Sequence, residues 1–168
     1  KEEIEAKLND YLGIGRILWL HHGYLSGDDT DSHVDTLARF CDEKTIAYVQ
    51  CNDEDDEHYT ELKKMEDELL SFKQENGESY HLIPIPMADA VVFKGERLPA
   101  TYANFLIING AVLMPVYNSP EKDEKAKLQL QKAFSNREIV EIDCTALIKQ
   151  HGSLHCVTMQ YGSFTNPI

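Results

Sequence analysis

Apolar residues recur along this chain with two periods. Leu62, Met65, Leu69 and Phe72 follow one another at helical spacing with charged residues between them, which predicts an amphipathic helix. Ala126, Leu130, Ala133 and Phe134 mark a second one. Ser119 and Pro120 suit its start, because proline has a fixed φ and no N–H to lose in a first turn. Asn52, Asp53 and Asp55 are candidate caps for the first helix, since short polar side chains can accept an orphan backbone N–H. The charged N-terminal stretch KEEIEAKLNDYLG reads as a further helix rather than an export signal. Helical stripes of this kind are ordinarily core, and Met65 and the aromatic residues are read so.

The other period is that of strands. VDTLARF (Val34–Phe40) turns at Asp42-Glu43-Lys44 and returns as TIAYVQC (Thr45–Cys51). An acidic segment and the first helix follow, then the strand YHLIPI (Tyr80–Ile85). TYANFLII (Thr101–Ile108) turns at Asn109-Gly110, two residues that tolerate positive φ and so favour a hairpin. It returns as AVLMPVY (Ala111–Tyr117), enters the second helix and ends in EIVEID (Glu138–Asp143). Both stretches read strand–turn–strand–helix–strand, repeated at about 68 residues, which suggests α/β blades or layers around a shared axis. Met87–Pro99 is the longest irregular segment and a candidate loop over a site. Residues 1–160 form the folded portion; the tail 161–168, YGSFTNPI, lacks periodicity and is expected to be poorly ordered.

With 168 residues the chain can bury one sizeable core. No apolar run approaches the ~20 residues of a membrane span. Its net charge of −13 argues against nucleic acid and anionic membrane as partners, because an acidic surface gains nothing from counterion release. The same charge suits a cationic substrate. The four cysteines are scattered without a CxxC pair, which points to free thiols in a reducing, cytoplasmic compartment. Cys41, Cys51 and Cys144 sit in apolar contexts typical of buried strand cysteines, whereas Cys156 has polar company that includes a histidine.

Two constellations carry chemistry. In GDDTDSHVDTLARF the carboxylates Asp28, Asp29, Asp31 and Asp35 crowd around His33. If Val34 opens a strand, alternation puts His33 and Asp35 on one face, a general acid/base beside a carboxylate that favours the imidazolium. The competing reading is an acidic surface turn with a solvated histidine; a Ca²⁺ loop would need the EF-hand glycine and terminal glutamate, which are missing. In HGSLHCVTMQ a Gly-Ser turn leads into Leu154-His155-Cys156 and an expected strand, a junction where a cysteine can be exposed enough to react. Its competitor is a buried structural cysteine. Zinc bound by His21, His22, His33, His151 or His155 with Cys156 is disfavoured, since no CxxC or HExxH signature supports it.

Together, GDDTDSHVDTLARF, ATYANFLIINGAVLMPVY, EIDCTALIKQ and HGSLHCVTMQ resemble the agmatine deiminases of the guanidino-group-modifying, or pentein, superfamily, in the family's order from Gly23 to Gln160. The resemblance implies a pentein-type α/β propeller, here about two blades plus the start of a closing strand. It implies hydrolysis of agmatine to N-carbamoylputrescine and ammonia, with no metal or cofactor, in putrescine and polyamine supply. Carried over, Cys156 is the nucleophile, His33 the general acid/base and Asp35 the group that binds the guanidinium; the resemblance assigns no role to Asp28, Asp29 or Asp31, which are candidates for orienting the loop or meeting the substrate amine, with Asp29 and Asp31 taken as candidate substrate-binding residues. A deiminase of free or peptidyl arginine, and a non-catalytic acidic domain of the same fold, stay open beside this reading. A whole member of the family is about twice this length and supplies two more acidic residues upstream. The resemblance therefore implies an N-terminal half as partner, and self-association as a way to cover open strand edges. The tail after Gln160 departs from the family's pattern.

Overall fold

A computed structural model describes residues 1–30 and 33–160 of the chain. The calls on Asp31 and on the tail 161–168 lie outside the described residues. The chain opens with α1 (Glu2–Leu12), which ends at the left-handed Gly13. The first unit follows as β1 (Ala38–Phe40), β2 (Thr45–Gln50), α2 (Tyr59–Ser71) and β3 (His81–Pro86). A small antiparallel hairpin, β4 (Val91–Phe93) and β5 (Glu96–Leu98), leads to the second unit: β6 (Leu106–Ile108), β7 (Ala111–Val116), α3 (Pro120–Ala133) and β8 (Glu138–Asp143).

The two units have one topology. In each, the first two strands pair antiparallel and the third returns parallel to the second after the helix. Their first strands start 68 positions apart, at Ala38 and Leu106. The periodicity thus predicted the repeat, and the structure is a mixed α/β arrangement of two three-stranded sheets and a two-stranded one.

Apolar alternation decides what each helix buries. Leu62, Met65 and Leu69 of α2 pack on Ile46, Tyr48 and Val49 of β2. Ala126 and Leu130 of α3 join Val112, Met114 and Ile139 of their own sheet, together with Ala47, Ile83 and Ile85 of the first. α3 therefore seals the two units into one core. Each helix also buries one carboxylate that accepts a tyrosine hydroxyl: Glu66 from Tyr48 at 2.5 Å and Asp123 from Tyr102 at 2.6 Å. Burial and the adjacent carboxylate push both phenols above their ordinary pKa.

Several local expectations are corrected. Val34–Thr36 is a 3-10 turn, so β1 begins only at Ala38. Thr101–Phe105 is a fully buried irregular run, and β6 begins at Leu106. α2 starts after His58 without a side-chain cap; Asp53 instead accepts the Asp55 N–H within a preceding turn. Within Met87–Pro99 lies the β4–β5 hairpin, turned by Lys94 and Gly95 at φ 52° and 87°, the positive values a two-residue hairpin needs. Cys156 belongs to a 3-10 turn, His155–Val157, and no strand follows it among the described residues.

Candidate functional site

The 3-10 turn before β1 replaces strand alternation as the device that aims Asp35. Thr36 closes it, donating its N–H and hydroxyl to the His33 carbonyl at 3.2 and 2.8 Å. Asp35 is left half-buried and turned toward the second unit, while His33 is exposed. The expected shared strand face of His33 and Asp35 is therefore absent, because three residues per turn separate what alternation would have aligned.

Asp35 meets partners far along the chain. Its Oδ2 accepts from Nδ2 of Asn104 at 3.0 Å and pairs with Nδ1 of His155 at 2.7 Å. Asn104 is fully buried. Its own Oδ1 accepts the backbone N–H of His155 at 2.9 Å, that of Cys156 at 3.4 Å and the Cys156 thiol at 3.5 Å. One carboxamide thus ties Asp35 to Cys156. Nearby, Thr101 donates its hydroxyl to the Thr36 carbonyl at 2.8 Å, which locks the approach to β6 against the turn before β1.

The Cys156 turn is supported from below. Tyr117 donates to the Thr101 carbonyl at 3.0 Å and shares a 2.6 Å hydrogen bond with the buried Ser153. Gly152 leaves room for the turn, since a Cβ there would stand 3.3 Å from that of Cys156. Of the four cysteines, all free, Cys156 is the exposed one. Burial pushes the Cys41 thiol up to about 12 and raises those of Cys51 and Cys144, so none of these three supplies a ready thiolate. Both buried thiols and Cys41 lie just past strand ends rather than within strands.

The acidic loop is fastened to the same region. Nδ1 of His151 lies 2.8 Å from the Gly27 carbonyl. Gly27 has φ 83°, and a Cβ there would come 2.3 Å from the Arg97 carbonyl, so only glycine fits. One residue earlier, the Ser26 N–H donates to Nε2 of the buried His58 at 2.8 Å, which makes that nitrogen an acceptor and leaves Nδ1 to donate to Asp56 at 2.5 Å. Burial opposes ionisation of Asp56. The His58 N–H and ring and the Arg97 guanidinium outweigh it and hold the carboxyl at about 2. Asp28 spends Oδ1 on the N–H and hydroxyl of Thr30, an intraloop brace, while Asp29 is exposed.

Four of the histidines weighed and disfavoured as zinc ligands face different partners: Lys1 for His21, Glu61 for His22, the Gly27 carbonyl for His151 and Asp35 for His155. His151 and His155 stand four apart, a spacing that would share a helix face, but His151 is left-handed at φ 64° and no helix joins them. Among the described residues no group of three His, Cys, Asp or Glu converges as metal ligands would. Sequence reasoning missed Asn104 and the pairing role of His155. Both lie inside the quoted motifs, yet only their meeting with Asp35 across 69 and 120 positions reveals them.

Comparison with known proteins adds the family. Residues 1–162 match the model of the Porphyromonas-type peptidyl-arginine deiminases. An agmatine deiminase of Pseudomonas syringae pv. tomato is 33% identical over 178 residues, covering 95% of this chain and 48% of that protein. Among solved structures, a Porphyromonas gingivalis protein described as a "Putative Arginine Deiminase" is 54% identical at a TM-score of 0.94, covering 97% of this chain and 48% of the other. A substrate-bound variant of the C. jejuni agmatine deiminase is 42% identical at a TM-score of 0.84, covering 92% of this chain and 44% of its own. The chain spans about half the length of the curated relatives it matches.

Proposed function

Because the chain belongs to the Porphyromonas-type peptidyl-arginine deiminase family, we propose that it supplies Cys156, His33 and Asp35 to an enzyme that hydrolyses agmatine to N-carbamoylputrescine and ammonia. The observation that carries this reading is the Asn104 bridge, which fixes an exposed thiol and a half-buried carboxylate at one place. A guanidinium is planar and cationic with a pKa above ~12, so it is a poor electrophile until it is gripped and aligned. A carboxylate can accept its N–H groups and hold its carbon near sulfur.

The Cys156 thiolate adds to the guanidinium carbon. His33 donates a proton to one nitrogen, the C–N bond breaks and ammonia leaves, giving an amidino-cysteine. His33 then takes a proton from water. The hydroxide adds to the same carbon, the C–S bond breaks, and the ureido product leaves with the thiolate restored. Asp35 orients the cation, and Asp29 and Asp31 add to the negative field that draws it in. No step calls for a metal or a redox cofactor.

Agmatine is placed before arginine as substrate, and each of the four arginines of this chain has a partner inside it. Arg16 donates to the Lys73 carbonyl, Arg39 to that of Phe105, Arg137 to that of Ile108, and Arg97 to Asp56 and Glu57. The further carboxylates that a complete guanidinium grip needs would come from the length present in the relatives and not in this chain. The propeller of the family would be completed by that same half. Ammonia release from agmatine and from arginine, by this chain alone and with the N-terminal half added, tests the reading. Turnover of agmatine only in the assembled enzyme is expected. Robust turnover by the isolated monomer, or by neither preparation, would overturn the division of the site.

A further inference from the structure

A buried imidazole needs a partner for each of its two nitrogens. His58 is 1% exposed and takes no part in the chemistry proposed above. It stands just before α2, with Nδ1 on Asp56 at 2.5 Å and its ring stacked on that of Tyr24 at 5.1 Å. Asp56 in turn accepts from the Arg97 guanidinium of β5 at 3.0 Å. These bonds keep the Asp56 carboxyl ionised, so it holds the proton on Nδ1 and leaves Nε2 bare. Nε2 is aimed at the acidic loop, where it accepts the Ser26 N–H.

What it grips is the turn that launches that loop. Asp28 donates its N–H to the Leu25 carbonyl at 3.2 Å, closing a turn over Ser26 and Gly27. Gly27 takes the third place at φ 83°, a value that suits glycine there. Leu25 anchors the turn in the core of the first unit. Two polar groups of the turn bond outward to different elements. The Ser26 N–H goes to His58, and the Gly27 carbonyl meets His151, which lies on the approach to Cys156.

We propose that His58 is a positioning residue for the acidic loop: the hydrogen-bond chain Arg97–Asp56–His58 holds the Ser26 N–H and so sets where Asp28 and Asp29 stand relative to the Cys156 turn. This rests on the deiminase reading for the ligand that the loop attracts, but the hydrogen-bond chain itself does not depend on it. Without an acceptor at the place of Nε2, the Ser26 N–H loses its partner, and the turn rests on His151 and the close approach of Gly27 to Arg97.

Two substitutions separate the two nitrogens. A glutamine side chain reaches the place of Nε2 and can accept from Ser26, whereas asparagine reaches only the place of Nδ1 and can donate to Asp56. In His58→Asn the Ser26 amide of the 168-residue chain, followed by NMR, should exchange hydrogen about 10-fold faster than in wild type, and in His58→Gln it should stay protected. In the assembled enzyme His58→Asn should raise KM for agmatine ~10-fold with far less change in kcat, and His58→Gln should restore it, because the loop acts on binding. Protection of the buried Cys144 from iodoacetamide reports that each variant is folded. Where a variant loses that protection, the imidazole ¹⁵N spectrum of the wild-type chain decides: Nδ1 protonated and a bare Nε2 coupled to the Ser26 amide support the proposal, and a bare Nδ1 overturns it. Folded variants whose Ser26 amides exchange alike would overturn the hydrogen-bond chain, and wild-type KM in His58→Asn would overturn its role in positioning the loop; both leave the deiminase reading standing. If the wild-type assembly releases no ammonia from agmatine, the deiminase reading falls, and the exchange and ¹⁵N results alone decide whether His58 holds the loop.

Discussion

The segments that lead into β1 and β6 hold equivalent places in their units, yet they are opposite in character. The first carries His33, Val34 and Asp35 at an exposed or half-exposed surface. The second runs through Tyr102, Ala103, Asn104 and Phe105, each fully buried. They meet directly, through Thr101 on the Thr36 carbonyl and Asn104 on Asp35. In the proposed site one repeat presents groups to the substrate while its counterpart supplies the buried wall against which they rest. A duplicated topology allows this division, because identical backbone paths bring the same part of each unit toward the same junction.

The largest test of that division acts on the presented side. Cys156→Ala or Cys156→Ser should abolish turnover in the assembled enzyme while leaving the far-UV spectrum and melting temperature essentially unchanged, since the side chain is exposed. Near-normal rates would eliminate covalent catalysis through this residue. Next, His33→Ala should lower kcat by ~10²–10⁴-fold, the usual worth of a positioned acid/base, with little effect on stability. A pH–rate profile that keeps its shape in this variant would remove His33 from proton transfer.

On the wall side the effect should move from activity to folding. Phe105 packs edge-on against Phe134 with centroids 5.7 Å apart and lies under the Arg39 guanidinium at 4.6 Å. Phe105→Ala should cost about 3–5 kcal/mol in urea unfolding. Val34→Ala, at an exposed position of the counterpart segment, should stay within about 0.5 kcal/mol. Equal costs at the two positions would break the contrast.

The smallest expected effect concerns acid stability. The folded-state value of Asp56 lies below its unfolded value of ~3.9, so its stabilisation is present above that pH and is lost as pH falls toward 2. A shift of this size is worth about 2 kcal/mol, and Asp56→Asn should remove that part of the acid transition. Asp143 of the second unit is lowered in the same direction by the N–H and hydroxyl of Thr145, but it is fully solvent-exposed and its replacement should barely register. Identical acid-unfolding curves for wild type and Asp56→Asn would show that the His58–Arg97 network does not stabilise the acidic loop.

The elements that read correctly from sequence are those whose pattern is local and strongly periodic. α2 and α3, β2, β7 and β8 appear where their apolar spacing predicted, and the Asn109-Gly110 turn joins β6 to β7. The elements that read wrongly are the approach segments. Val34–Thr36 and Thr101–Phe105 have strand-like composition, but the first closes on the His33 carbonyl through Thr36, and the two segments bond to each other through the Thr101 hydroxyl and Asn104 instead of to a neighbouring strand. Single-chain periodicity cannot register such an exchange. The β4–β5 hairpin escaped notice for a simpler reason, since Lys-Gly is a weaker positive-φ signal than Asn-Gly.

The amino-acid order by itself determined the duplicated strand–turn–strand–helix–strand unit, the acidic surface and the singling out of Cys156 among four cysteines, because each depends on near neighbours in the chain. Only the tertiary structure decided that Asp35 pairs with His155, that His33 faces solvent, and that Asn104 joins Asp35 to Cys156. Those contacts span 52 to 120 positions and are fixed by the burial of α3 across both sheets. A buried amide finds its partners only once the two sheets have closed around it.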